Sequence, residues 1–219
     1  MKTIELNASV TASNDADADA IRLDMKKKGT LLINLMSSPG SGKTTLLSRL
    51  IKDLKDEKKI GVMEADIASD VDAIRIEEAG AKSIQAHTDG MCHMDAGMTR
   101  RAMDAMGTDE LDLVFLENVG NLICPAEFDT GAGKNIMILS VPEGDDKPLK
   151  YPLMFEKSDA LVITKMDTKE YFDFDLNKCI ERVKRLNSKI AIFPVSAKTG
   201  DGMDDLEDWL RSQVALWKE

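Results

Sequence analysis

Leu31-Leu32-Ile33-Asn34-Leu35-Met36 runs into Ser37-Ser38-Pro39-Gly40-Ser41-Gly42-Lys43-Thr44-Thr45, and Leu46-Leu47-Ser48-Arg49-Leu50-Ile51-Lys52-Asp53-Leu54 follows without a break. The first segment is a short apolar run of strand character, the second a loop of small residues, the third a helix-period pattern. Small residues let successive backbone N–H groups turn toward one anion, and the helix N-terminus behind them adds the positive end of its dipole. Gly40, Ser41, Gly42, Lys43, Thr44 and Thr45 are therefore the expected phosphate cradle, with Lys43 reaching terminal phosphate oxygens and the Thr44 hydroxyl placed to ligate Mg²⁺. The strict pattern of such loops begins with Gly, where this chain has Ser37. A small residue preserves the turn.

Outward from this stretch the same alternation continues. LLINLM, KIGVME, KSIQA, LDLVFLE, NIMILSV, DALVITK and KIAIFPV are strand candidates, and helix-period segments lie near 44–57, 71–79, 92–106, 176–187 and 203–217. That order predicts an α/β, three-layer P-loop nucleoside triphosphatase fold, with a mostly parallel sheet of about seven strands and helices on both faces. Residues 1–29 read as a partly helical N-terminal extension with a solvated acidic face, and residues 30–219 as the nucleotide-binding domain. The 219 residues are 43% hydrophobic and 31% charged, enough for one substantial core. A net charge of −10 disfavours nucleic acid and anionic membrane surfaces as partners. The longest apolar runs fall far short of the roughly 18 residues a membrane span needs, and MKTIELNASV lacks the apolar stretch of a secretory signal. A cytoplasmic protein is expected.

Two carboxylates belong at strand ends on the ligand-binding edge of such a sheet, where Mg²⁺ or its water would need them. They are Asp66, after KIGVME, and Glu117, which closes LDLVFLE and opens Glu117-Asn118-Val119-Gly120. Asp66 has a second reading as a helix cap. Gly120 is placed to offer its N–H to a γ-phosphate. After the sixth strand comes Thr164-Lys165-Met166-Asp167, and after the seventh Ser196-Ala197-Lys198-Thr199-Gly200. The Asp167 carboxylate can accept from guanine N1–H and the 2-amino group, and a backbone N–H around Ala197 can donate to O6, which selects GTP over ATP. The usual tetrapeptide of such sites starts with Asn; here Thr164 offers only a hydroxyl for that work.

Cys92 and His93 are adjacent, and Cys124 lies shortly after the Glu117–Gly120 loop. Thiolate and imidazole suit borderline and soft metals such as nickel and zinc. The alternative is that Cys92 and Cys124 are small core residues and His93 a satisfied core histidine. Three ligands leave a site incomplete, so a metal here would add water or a ligand from a second copy of the chain, an arrangement suited to transfer. A γ-phosphate that moves the Gly120 loop would move Cys124 with it. His87 reads as exposed, and Met91, Met94 and Met98 as packing.

SSPGSGKTTLL, EADIASD, TDGMCHMDAGM, ENVGNLICP, EGDDKPLKYPLMFEKSDALVITKMD and PVSAKTGDGM, in this order, resemble the signatures of the HypB family of hydrogenase nickel-incorporation GTPases, from about Leu31 to Glu219. The resemblance implies slow GTP hydrolysis and dimerisation on GTP, with Cys92, His93 and Cys124 binding nickel or zinc at the dimer interface. It also implies delivery of nickel to a hydrogenase large-subunit precursor with a HypA-type partner. Lys43, Thr44, Asp66 and Glu117 would be the catalytic and Mg²⁺-binding set. Thr164, Ala65 and Ser37 depart from the family pattern without removing a charge. The N-terminal cysteine cluster of some members and the histidine-rich tail of others have no counterpart in these residues, so nickel storage is not expected. Lys147 and Lys150 read either as reaching a neighbour or as exposed loop lysines. A urease-accessory GTPase is the near alternative, although its metal motif separates Cys and His with a proline. A nucleotide-gated metal-binding module with negligible turnover is the other.

Overall fold

The computed structural model describes residues 7–65, 70–88 and 90–219. Seven strands, β1 (Leu31–Ser37), β2 (Ile60–Glu64), β3 (Lys82–Gln85), β4 (Leu113–Glu117), β5 (Lys134–Ser140), β6 (Ala160–Thr164) and β7 (Ala191–Pro194), form one sheet in the order β3-β2-β4-β1-β5-β6-β7. Every pairing is parallel. All seven correspond to the apolar runs of the sequence. Strands β1, β2, β4 and β6 are buried along their whole length. Such continuous apolar runs are what a parallel sheet covered on both faces demands.

The helices are α1 (Asn7–Lys28), α2 (Lys43–Leu54), α3 (Asp70–Ala79), α4 (Ala96–Met106), α5 (Cys124–Glu127), α6 (Lys147–Lys150), α7 (Pro152–Glu156), α8 (Leu176–Leu186) and α9 (Met203–Lys218). Alternation along β1 divides the core. Leu31, Ile33 and Leu35 pack with Leu46, Leu47 and Leu50 of α2 and with Leu206, Leu210 and Val214 of α9 on one face. Leu32 packs on the other face with Ala18, Ile21 and Met25 of α1 and Met103 and Met106 of α4. Met36 joins Met154, Phe155, Cys179 and Val183 there, under α7 and α8.

Residues 7–28, set apart in the sequence as an extension, form one helix whose stripe of Ala18, Ile21 and Met25 is fully buried. Burying side chains of the size of Ile21 and Met25 contributes about 1.5–3 kcal/mol each. Asp15, Asp17 and Asp19 lie on its solvated side.

The helix-period segment that begins near residue 92 is shorter than the periodicity predicts. Asp95 accepts from the Met98 N–H as an N-cap, so α4 starts at Ala96 and leaves Cys92 and His93 in the preceding turn. Because all strands run the same way, Ser37, Glu64, Glu117, Ser140 and Thr164 share one edge of the sheet.

Candidate nucleotide and metal sites

The chain turns between β1 and α2 with Gly40 at φ +72° and Gly42 at φ +94°. A side chain at Gly42 would be strained by that backbone and would press toward Thr164 and Lys165. Ser37, the departure from the usual first glycine, is fully buried and used. Its hydroxyl donates to the Ser38 carbonyl at 2.8 Å and accepts from Ser41 Oγ at 2.7 Å and Lys43 Nζ at 2.9 Å. The ammonium of Lys43 is thus held over the loop interior.

From the far side of the loop, Thr164 Oγ1 donates to the Ser41 carbonyl at 2.6 Å and Lys165 Nζ to the Gly40 carbonyl at 2.7 Å. The hydroxyl of Thr164 thereby braces the phosphate loop, the part of the missing amide's work that does not touch the base. Lys165 is the one non-glycine with positive φ (61°) among the described residues. That conformation costs about 1–2 kcal/mol, offset by the tether to Gly40. Ser38 Oγ bonds Glu143, whose other carboxylate oxygen accepts from the Ser140 N–H and hydroxyl, both at 2.7 Å.

Glu117 ends β4 with its carboxylate 3.1 Å from the Thr44 hydroxyl, and Glu64 stands in register beside it at the end of β2. Both glutamates are buried. A hydroxyl and a carboxylate in contact beside a phosphate cradle are hard oxygen donors of the kind Mg²⁺ takes, so these residues fit that ion. Asp66 lies outside the described residues. Gly120 meets the phosphate loop directly: a Cβ there would stand 3.0 Å from the backbone nitrogen of Pro39. A side chain there would push the two loops apart by a few tenths of an ångström.

On the base side, Ser196 Oγ donates to Asp167 Oδ1 at 2.8 Å and accepts from the Thr199 N–H at 3.2 Å, fixing one carboxylate oxygen. A cavity of about 650 Å³ runs along α2, lined by Thr44, Thr45, Ser48, Arg49 and Lys52 together with Arg75 and Glu78 of α3 and Ala197. Lys198 sits in the same turn as Ala197.

The three candidate metal ligands converge. Cys92 Sγ, a nitrogen of His93 and Cys124 Sγ lie within 4.8 Å of one another. The two sulfurs are 2.9 Å apart, and Cys92 Sγ is 3.7 Å from His93 Nδ1. His93 is buried and stacks on Phe128, ring centroids 3.9 Å apart. Burial pushes its pKa down against the opposing charges of Asp95 and Glu127, which favours the neutral, metal-binding imidazole. The helix-period segment near 92–106 would put the Cys92 thiol at a helix start. Here Cys92 precedes α4, and the hydrogen bond with Cys92, reinforced by burial, raises the pKa of Cys124. The third cysteine, Cys179, is buried in the α8 core, where desolvation pushes its thiol up to about 12.

His87 is exposed. Met94 is buried and Met98 packs against the core, whereas Met91 is 43% exposed. Lys150 pairs with Asp146, and Lys147 lies over the Tyr151 ring.

Sequence reasoning missed the asparagines that tie these sites together. Buried Asn118 donates to Asn34 at 3.1 Å and accepts from the N–H groups of Met94 (3.1 Å) and Val119 (2.9 Å). It therefore links the Glu117–Gly120 loop to the residue after His93. Glu143 was also missed, although the spacing Ser140-x-x-Glu143 is a capping-box signal.

Residues 31–194 match the family described as the CobW/HypB/UreG nucleotide-binding domain. The hydrogenase maturation factor HypB of Rhizobium leguminosarum bv. viciae is 42% identical over 214 residues, 98% of this chain and 72% of that one. Among solved structures, HypB from Archaeoglobus fulgidus superposes with a TM-score of 0.87 at 36% identity, covering 93% of this chain and 99% of that one. HypB from Helicobacter pylori in complex with nickel gives 0.87 at 39% identity, covering 93% and 95%.

Proposed function

The chain belongs to the CobW/HypB/UreG family, on its hydrogenase maturation factor branch, and from that footing we propose that it is a GTP-hydrolysing metallochaperone that binds nickel and delivers it during hydrogenase maturation. The observation that carries this reading is the convergence of Cys92, His93 and Cys124 next to a loop that touches the phosphate cradle through Gly120 and Pro39. A nickel complex of a 39% identical relative supports the identity of the cargo.

In the hydrolytic half, water attacks the γ-phosphorus in line and GDP leaves. Lys43 and the N–H groups of residues 40–45 neutralise the phosphates, and Gly120 donates toward the terminal one. Thr44 and Glu117, with Asp66, would hold Mg²⁺, which supplies positive charge against the transferring phosphoryl group. No side chain acts as nucleophile. Asp167, Ser196, Ala197, Lys165 and Lys198 frame the guanine.

In the delivery half, the two thiols would release their protons to solvent as the metal binds, while His93 enters neutral. Three protein ligands leave room for water, for an acceptor's ligand during transfer, or for a second copy of the chain in a GTP-favoured homodimer. Zinc fits the same donors. A HypA-type partner and a hydrogenase large-subunit precursor in the cytoplasm complete the reading.

Multiple-turnover phosphate release tests the enzymatic half. The parent is expected to hydrolyse GTP slowly and ATP at no more than about a hundredth of that rate, given the guanine-selective contacts, and Lys43→Ala to lose turnover. Equal rates for the parent and Lys43→Ala would remove the enzyme from this reading and leave a metal-binding module.

A further inference from the structure

One side chain of α1 spans the two segments that carry the metal-binding groups. Asn14 Nδ2 donates to the Asp129 carbonyl at 2.9 Å, and its Oδ1 accepts from the Ala96 N–H at 2.9 Å. Ala96 opens α4 just after Cys92 and His93, and Asp129 follows Phe128, the residue against which His93 stacks, a few positions after Cys124. The amide is thus a bridge between the two halves of the ligand set. A side-chain amide donates and accepts at once from one planar group, and a carboxylate in its place would set an acceptor against the Asp129 carbonyl.

The helix that presents Asn14 is itself fastened at the same loop. Arg22 grips Asp129 with both nitrogens, each contact 2.8 Å, and Asp129 Oδ1 also accepts from the Gly131 N–H at 2.8 Å. A Cβ on Gly131 would stand 2.6 Å from Ile21 Cβ, so α1 lies directly on this turn. Farther along, Asp24 pairs with Arg100 of α4 at 2.8 Å, away from the ligands.

We propose that Asn14 is a positioning residue of the metal centre and that α1 is its latch, holding the Cys92–His93 and Cys124 segments at the separation at which thiols and imidazole converge. The inference rests on the reading of those three residues as a metal site. Outer-shell hydrogen bonds that orient ligands typically set metal affinity by 10–100-fold, so the effect is measurable without unfolding the protein.

The test compares the parent chain with Asn14→Ala, Asn14→Asp and Arg100→Ala, all in GDP, in two titrations. The first is Ni²⁺ against a competing chelator, followed by thiolate-to-nickel absorption. The second is phenylarsine oxide, which bridges two nearby thiols and needs no nickel. A thermal melt of each variant separates positioning from stability. Asn14→Ala is expected to weaken both titrations about tenfold and to alter the nickel absorption band. Asn14→Asp, which keeps the Ala96 contact and loses the Asp129 contact, is expected to do at least as much. Arg100→Ala, which loosens α1 without touching the bridge, is expected to lower the melting temperature and leave both affinities within about twofold, far inside the outer-shell range. Asn14→Ala matching the parent in both titrations overturns the latch, and so does Arg100→Ala weakening them equally. A parent that takes up the arsenical but no nickel defeats the nickel reading alone, and the arsenical series then decides the latch.

Discussion

Thr164 shows how one substitution redistributes work within a nucleotide site. Its hydroxyl reaches the Ser41 carbonyl and braces the phosphate loop, while in the proposed reading guanine recognition is left to Asp167, oriented by Ser196. Thr164→Val should therefore lower GTP affinity by about tenfold, roughly one hydrogen bond plus a buried carbonyl left unpaired. The binding of a fluorescent GTP analogue measures it, and an unchanged affinity would mean that the brace is idle. Asp167→Asn should weaken GTP more, by 10-fold to 100-fold or about 1.4–2.7 kcal/mol, because an amide NH₂, a donor, replaces one of the two acceptor oxygens. Xanthosine triphosphate, whose 2-carbonyl accepts from that amide, should regain affinity in the same assay. The identities of these residues were legible in the sequence because loop chemistry depends on residue type at fixed spacing. The roles of Ser37 and Asn118 were not, since a buried serine or asparagine declares itself only through the partners that surround it.

Among the elements, the strands were the most legible, because burial on both faces writes a nearly continuous apolar run into the inner ones, β1, β2, β4 and β6. Helix α4 was legible in its periodicity but not in its start, which the Asp95 cap sets four residues later than the pattern begins. Helix α1 was the hardest. Its inward stripe includes an alanine within an alanine and aspartate repeat, so hydrophobicity along it barely varies, and its attachment depends on the distant Asp129. That attachment titrates. Burial would raise the Asp129 pKa, but the Arg22 guanidinium and the Gly131 N–H outweigh it and hold the carboxyl below its usual 3.8. A folded-state pKa below the unfolded one gives stability that is present above 3.8 and is lost as the pH falls through the folded value. Asp129→Asn should accordingly melt below the parent at pH 7, and the gap should narrow as the pH falls below 3.8, as thermal melts across that range would report. A gap independent of pH would show that the pair does not fasten α1.

At the scale of the whole molecule, a parallel sheet gathers at one edge everything the function needs. Ser37, Glu117 and Thr164 end three of its strands, and the turn that carries Cys92 and His93 hangs from the loops beside them through Asn118. Joining nucleotide and metal through a three-ligand, open site predicts a protein that completes its coordination in company. Light scattering should give a larger mass with a non-hydrolysable GTP analogue and nickel than with GDP, and one mass in both states would count against the shared site. The central claim, a nickel site that answers to the nucleotide, is tested most directly by equilibrium nickel titration of the tag-free chain in GDP and then in the GTP analogue, beside Cys92→Ala. Binding should require Cys92 and change in affinity or stoichiometry between the two nucleotides. Binding indifferent to both, or no binding at all, would contradict it and leave a nucleotide-binding domain whose cysteines serve the fold.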